Sequence, residues 1–140
     1  MREKGSVLIV DDNVSLCKTM AFVLRRKGYA TAISTDGAEA IERVRERPFD
    51  MILMDIKMPL MNGVETYRKI KEVRPEATVL MMTAYSVEEL VKDALKEGAH
   101  GIVYKPLDID KVVAIIEEAM KAGHGPSSWW STTTQKPAPP

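Results

Sequence analysis

Five short apolar runs alternate with longer stretches of helical period, and this alternation narrows the available folds more than any other feature of the chain. The runs are Val7–Val10, Ala30–Ile33, Met51–Met54, Thr78–Met82 and Gly101–Tyr104. Three are almost continuously apolar, as strands covered on both faces must be. Between the runs, Leu16, Met20, Val23 and Leu24 fall on one helical face. Gly37, Ala40, Ile41 and Val44 repeat the spacing, and Ile109, Val112, Val113 and Ile116 do so again near the end. Gly28, Gly98 and Gly123 stand where helices should stop, and Pro48 and Pro75 follow two others. Ser86 with Glu89 has the spacing of a capping box at the head of the fourth predicted helix, and Asp108 is placed to cap the fifth.

A strand–helix unit repeated five times requires a parallel sheet with helices on both faces and right-handed crossovers. The expected architecture is α/β, a flavodoxin-like (βα)5 three-layer sandwich whose five-stranded sheet has the order 2-1-3-4-5. The chain of 140 residues suffices for one such domain. That domain is expected over residues 1–122. Residues 123–140, rich in Gly, Pro, Ser and Thr, read as a flexible linker or tail. Trp129 and Trp130 within it read as incidental tail residues rather than a docking spot.

Lys and Arg total 20 and Asp and Glu total 20, so no long-range attraction for a polyanion exists and direct nucleic-acid binding is not expected. The basic clusters Arg25-Arg26-Lys27 and Arg43–Arg47 lie beside apolar residues at helical spacing and read as solvated helix faces. The one cysteine, Cys17, cannot form an intrachain disulfide and falls on an apolar stripe, so it should pack as a small hydrophobe. There is no secretory core region, and no apolar run approaches the ~20 residues that span a bilayer. A cytoplasmic protein without membrane contact is expected.

In open parallel sheets, ligands bind beyond the carboxyl ends of the strands, where strand order reverses. Strand 1 ends in Asp11-Asp12, strand 3 in Asp55, strand 4 in Thr83, and strand 5 in Lys105 followed by Pro106. Three carboxylates therefore converge, and like charges ~4 Å apart cost about 4 kcal/mol per pair at an effective dielectric of 20. A hard divalent cation offsets this, and carboxylates with a carbonyl and waters suit Mg²⁺. A carboxylate beside such a cation, a lysine and a hydroxyl can act as a nucleophile toward phosphorus. Other chemistries find no support. The turn after strand 1, Asp12-Asn13-Val14, is neither a dinucleotide fingerprint nor a P-loop. His100 and His124 lie outside the cluster without partners at zinc-ligand spacing, and no Ser or Cys is placed with a His for acyl transfer.

Four segments, each at a predicted strand end, carry a family resemblance. They are Val7-Leu8-Ile9-Val10-Asp11-Asp12, Asp55-Ile56-Lys57-Met58-Pro59 with Asn62-Gly63, Met82-Thr83-Ala84, and Tyr104-Lys105-Pro106. From Ser6 to Ala122 the chain resembles the CheY-like receiver domains of bacterial response regulators, the phosphoprotein switches of two-component systems and phosphorelays. The resemblance implies that Asp55 accepts a phosphoryl group from a histidine kinase or histidine phosphotransfer protein in a Mg²⁺-dependent reaction. Asp12, Asp55 and the Lys57 carbonyl would hold the metal, with Asp11 acting through a water. Thr83 would hydrogen-bond the phosphoryl group, Lys105 would pair with it, and the Lys105–Pro106 bond would be cis. The domain would catalyse its own phosphorylation and slow autodephosphorylation without being an enzyme in the ordinary sense. Helix 1 and the loop after strand 5 would dock the phosphodonor; helix 4, strand 5 and helix 5 would carry output or a homodimer contact.

The chain departs from the family pattern at one position. Ile102 stands three residues before Lys105, where receivers usually carry an aromatic, and Tyr104 lies on the same strand face. Switching is therefore expected to rely more on the loop Ala84–Val87. Lys57 and Tyr85, each two residues beyond a site residue, are expected to shield the phosphoryl group and slow its hydrolysis. An aspartyl-nucleophile phosphohydrolase would need an acid where Lys57 stands, and a phosphorylation-independent pseudo-receiver would not need all five site residues. No helix-turn-helix, ATPase or catalytic segment follows Ala122, so the output is expected to lie in a partner or in a longer regulator.

Overall fold

The apolar runs form the strands of one parallel sheet in the computed structural model, which describes residues 5–58, 61–83, 92, 96, 98–105 and 107–121. Chain order is β1 (Gly5–Val10), α1 (Val14–Arg26), β2 (Tyr29–Ser34), α2 (Gly37–Glu46), β3 (Met51–Asp55), α3 (Gly63–Val73), β4 (Val79–Thr83), β5 (Gly101–Tyr104) and α4 (Ile109–Lys121). The strand order is β2-β1-β3-β4-β5, with every neighbouring pair parallel. This is the expected flavodoxin-like order. α4 is the fifth helix of the sequence reading; the Ser86–Glu89 capping pattern of the fourth, and the tail from residue 123 with Trp129 and Trp130, lie outside the described residues.

Strand alternation divides the core into two layers. Val7, Ile9, Leu53, Leu80, Met82 and Val103 face α1 and α4, where they meet Cys17, Met20, Leu24, Val112 and Ile116. Leu8, Val10, Ile52, Met54, Val79 and Met81 face α2 and α3, where Ala40, Ile41, Val44, Tyr67 and Ile70 complete the other layer. Burying each large apolar side chain contributes roughly 1.5–3 kcal/mol. A one-residue slip of any strand would exchange its two faces, so both layers together fix the register.

Polar residues set where the helices begin. The Asn13 side chain accepts from Leu16 N at the head of α1, and Asp36 accepts from Glu39 N at the head of α2. Asn62 and Glu65 form a reciprocal capping box on α3, and Asp108 accepts from Lys111 N on α4. α1 stops at Gly28, whose φ of 103° lies in the left-handed region that a side chain disfavours. At the amino end of the sheet, Gly5 sits against α4: a Cβ there would lie 3.3 Å from the Met120 sulfur and 3.0 Å from the Asp50 carboxylate. Asp50 also accepts from Ser6 N at 2.8 Å, which ties the start of β1 to the start of β3.

Candidate functional site

At the opposite rim the strands deliver polar side chains to one place. Val10 pairs with Met54, and one residue further along the same register Asp11 comes level with Asp55. Asp11 continues the ladder toward β2 through its N–H to the Ser34 carbonyl at 3.1 Å. Asp55 remains within the sheet, paired with Met82 of β4. Asp11 is wholly buried and Asp55 is 4% exposed, whereas Asp12 is exposed. One carboxylate oxygen from each of the three lies within 4.8 Å of the others.

Lys105 reaches this cluster from the end of β5. Its backbone N–H donates to the Thr83 carbonyl at 2.7 Å, which continues the β4–β5 pairing. Its Nζ then lies 2.9 Å from Asp11 Oδ2 and 3.3 Å from Asp55 Oδ1. Asp11 Oδ1 accepts from Asn13 N at 2.9 Å, so both oxygens of this buried carboxylate are satisfied. Burial and the neighbouring Asp11 push the Asp55 carboxyl up to about 6, against the pull of Lys105. Burial alone would lower the Lys105 pKa, but its bond to Asp11 and the charge of Asp55 outweigh this and hold it above the ordinary value. Among the described residues, three carboxylates face one ammonium, and the carboxylates offer hard oxygens as ligands. Asp11, Asp12 and Asp55 are therefore suited to hold a divalent cation.

A sequence profile described as the response regulator receiver domain matches residues 7–117. The chain belongs to this family. The receiver is 43% identical over 118 residues to the transcriptional regulatory protein ZraR of Klebsiella oxytoca, an alignment covering 84% of the chain and 27% of that relative. It is 33% identical over 116 residues to the chemotaxis protein CheY of Thermotoga maritima, covering 82% of the chain and 97% of that relative. A CheY-like receiver domain protein from Methanospirillum hungatei superposes with a TM-score of 0.81 at 28% identity, covering 85% of this chain and 95% of the other. The receiver thus spans about a quarter of the length of its ZraR relatives, at 27%. No helix among its described residues is long and apolar enough to cross a membrane.

The receiver brings together Asp11, Asp12, Asp55 and Lys105, as their strand-end positions predict. Thr83 closes β4 at 0% exposure, in register with Tyr104. Lys57 is exposed two residues beyond Asp55. Ile102 is half-buried against the α2–α3 layer, and Tyr104 on the same strand face is 44% exposed. Pro106 and the whole loop Ala84–Val87, Tyr85 included, lie outside the described residues. His100 is remote from the cluster, since its N–H donates to the Val79 carbonyl at the other end of β4.

Two contacts of the receiver were not anticipated from sequence. The Cys17 thiol, fully buried, donates to the Asp11 carbonyl at 3.3 Å, so this residue does more than pack. Burial, reinforced by the Asp11 charge, pushes the thiol up to about 11. The other is the Asn13 N–H bond to Asp11 Oδ1, an Asx turn two residues before the helix cap. The Asn62–Glu65 box did carry a sequence signal, the cap-x-x-Glu spacing.

Proposed function

We propose that this receiver is a phosphoacceptor switch in which Asp55 takes a phosphoryl group from a phosphohistidine on a histidine kinase or phosphotransfer protein. An Asp55 oxygen would bond to phosphorus as the phosphorus–nitrogen bond breaks, and the departing electron pair would return to the imidazole nitrogen. At a pH above its pKa of about 6, Asp55 is chiefly the carboxylate that such an attack requires. The proposed metal ligands are Asp12, Asp55 and the Lys57 carbonyl, with Asp11 acting through a water. Mg²⁺ held there would neutralise the carboxylates and the charge that builds on the phosphoryl oxygens. Lys105, already beside Asp55, would pair with one phosphoryl oxygen and Thr83 would donate to another. Lys57 and Tyr85 would overhang the group and slow autodephosphorylation, and the Lys105–Pro106 bond would be cis. With Ile102 in place of an aromatic, the loop Ala84–Val87 would carry more of the switching.

The observation that carries this proposal is the placement of Asp55, 3.3 Å from Lys105 and within 4.8 Å of two further carboxylates. Residues 1–122 would act as the receiver and 123–140 as a linker, in a cytoplasmic protein whose output lies in a partner, a homodimer contact or a further domain. The balanced charge of the chain supports no direct contact with nucleic acid. Incubation with acetyl phosphate and Mg²⁺, read by intact mass, should add one phosphoryl group to the native chain and none to Asp55→Asn. Equal labelling of the two proteins would overturn the assignment.

A further inference from the structure

α3 begins on a glycine with no room for a side chain. A Cβ on Gly63 would collide with the Asp55 carbonyl oxygen and lie 2.7 Å from Ile56 Cα and 3.1 Å from the Asp55 carbonyl carbon. All three are backbone atoms, so no rotamer change could relieve the contact. Gly63 also donates its N–H to the Ile56 carbonyl at 2.7 Å. The first turn of α3 thus lies directly on the peptide that follows the phosphoacceptor. Its φ is not in the left-handed region, unlike those of Gly28 and Gly98, so the requirement here is space.

Both sides of this contact are anchored. Ile56 is fully buried, and its N–H donates to the Met82 carbonyl at 2.9 Å, which holds it to β4. On the helix side, Val64, Tyr67 and Ile70 are buried, the Asn62–Glu65 box fixes the first turn, and Arg74 Nε donates to the Val44 carbonyl at 2.7 Å. A side chain at position 63 must therefore displace the short segment from Asp55 to Met58. That segment carries the Asp55 carboxylate and the Lys57 carbonyl.

We propose that Gly63 is a positioning residue for the metal site, its bare backbone clasping the Asp55–Ile56 peptide so that the Asp55 carboxylate and the Lys57 carbonyl face one ion together. The proposal rests on the metal-site reading given above. It assigns Gly63 a role in ligand geometry that is separate from its contribution to stability.

Gly37 supplies an internal control. A Cβ there would collide with Thr66 Oγ1 and approach the Met61 sulfur, both side-chain atoms at the α2–α3 contact. Gly63→Ala and Gly37→Ala should both lower the melting temperature. Mg²⁺ titration of the folded proteins by calorimetry should show binding at least roughly tenfold weaker in Gly63→Ala, the scale on which supports of metal ligands act, and little changed in Gly37→Ala. Native affinity in a destabilised Gly63→Ala, or equal losses in both variants, overturns the positioning role. A native chain that fails to bind Mg²⁺ overturns the metal reading itself, and the inference with it.

Should Gly63→Ala not fold, hydrogen exchange on the native chain decides the matter. Coupling between sites is reciprocal, so Mg²⁺ should slow exchange of the Gly63 N–H more than that of the Arg74 N–H, which is bonded to Ile70 at the far end of α3. Equal slowing at both positions would mean global stabilisation only, and would sink the proposal.

Discussion

Asp55→Asn should make the metal-free protein more stable at neutral pH while removing the residue on which the proposed function depends. At an effective dielectric of 20, a carboxylate within 4.8 Å repels Asp55 by at least about 3.5 kcal/mol, and Lys105 at 3.3 Å attracts it by about 5 kcal/mol. Two such repulsions outweigh the one attraction by about 2 kcal/mol, so charge and burial push the same way, with burial the larger cause. The rise from an ordinary value of 3.8 to about 6 corresponds to roughly 3 kcal/mol. The folded pKa lies above the unfolded one, so the native state binds the proton more tightly. Above about pH 6 the ionised group carries its full cost, and stability is regained as pH falls from about 6 toward 4.

Asparagine keeps the shape and removes the charge. Allowing for local relaxation, the expected gain at pH 7.5 is about 1–3 kcal/mol, or roughly 4–12 °C in melting temperature for a domain of this size. Urea denaturation in EDTA at pH 7.5 and pH 4.5 would measure both arms. The difference between the native chain and the variant should be largest at pH 7.5 and shrink at pH 4.5, which cancels the titration of other groups. A variant no more stable than the native chain at pH 7.5 would refute the reasoning, because it would mean that Asp55 carries its charge in the folded state without strain.

Lys105→Met should act in the opposite direction. It removes the cation from the wholly buried Asp11, and a loss of about 2 kcal/mol at pH 7.5 is expected, moderated because Lys105 is partly exposed; chemical denaturation in EDTA would measure it. Cys17 should resist thiol reagents in the native state, since it is fully buried and its thiol is pushed up to about 11. Its labelling rate should rise across the unfolding transition, and rapid labelling in native buffer would contradict the buried bond to Asp11.

Much of this structure was legible because its determinants are local or periodic. The faces of α1 and α2 follow from spacing alone, and the gathering of Asp11, Asp55, Thr83 and Lys105 follows from parallel topology once the strands are placed. Adjacent Asp11 and Asp12 were harder to separate. One is buried under Lys105 and the other is exposed, a distinction fixed by a side chain 94 residues away in the sequence. The Cys17 bond to the Asp11 carbonyl depends on the angle at which α1 leaves the sheet, which no spacing reports. In the sequence Gly63 stands out only as part of a motif. Its need for space arises where a helix terminus meets a strand end, and composition carries no trace of that contact.

The contact of Gly5 with Met120 has a consequence for how a signal could leave this domain. α4 starts shortly after Lys105 and runs back down the sheet, so Met120 near its end lies against Gly5 at the start of β1, at the rim opposite Asp55. A five-residue strand is roughly 17 Å long. The end of α4 therefore lies about that far from Asp55, with the length of the sheet between them. If Asp55 takes up a phosphoryl group as proposed, that group would not touch the end of α4 directly; it would act there by altering the surfaces of the elements that span the two rims.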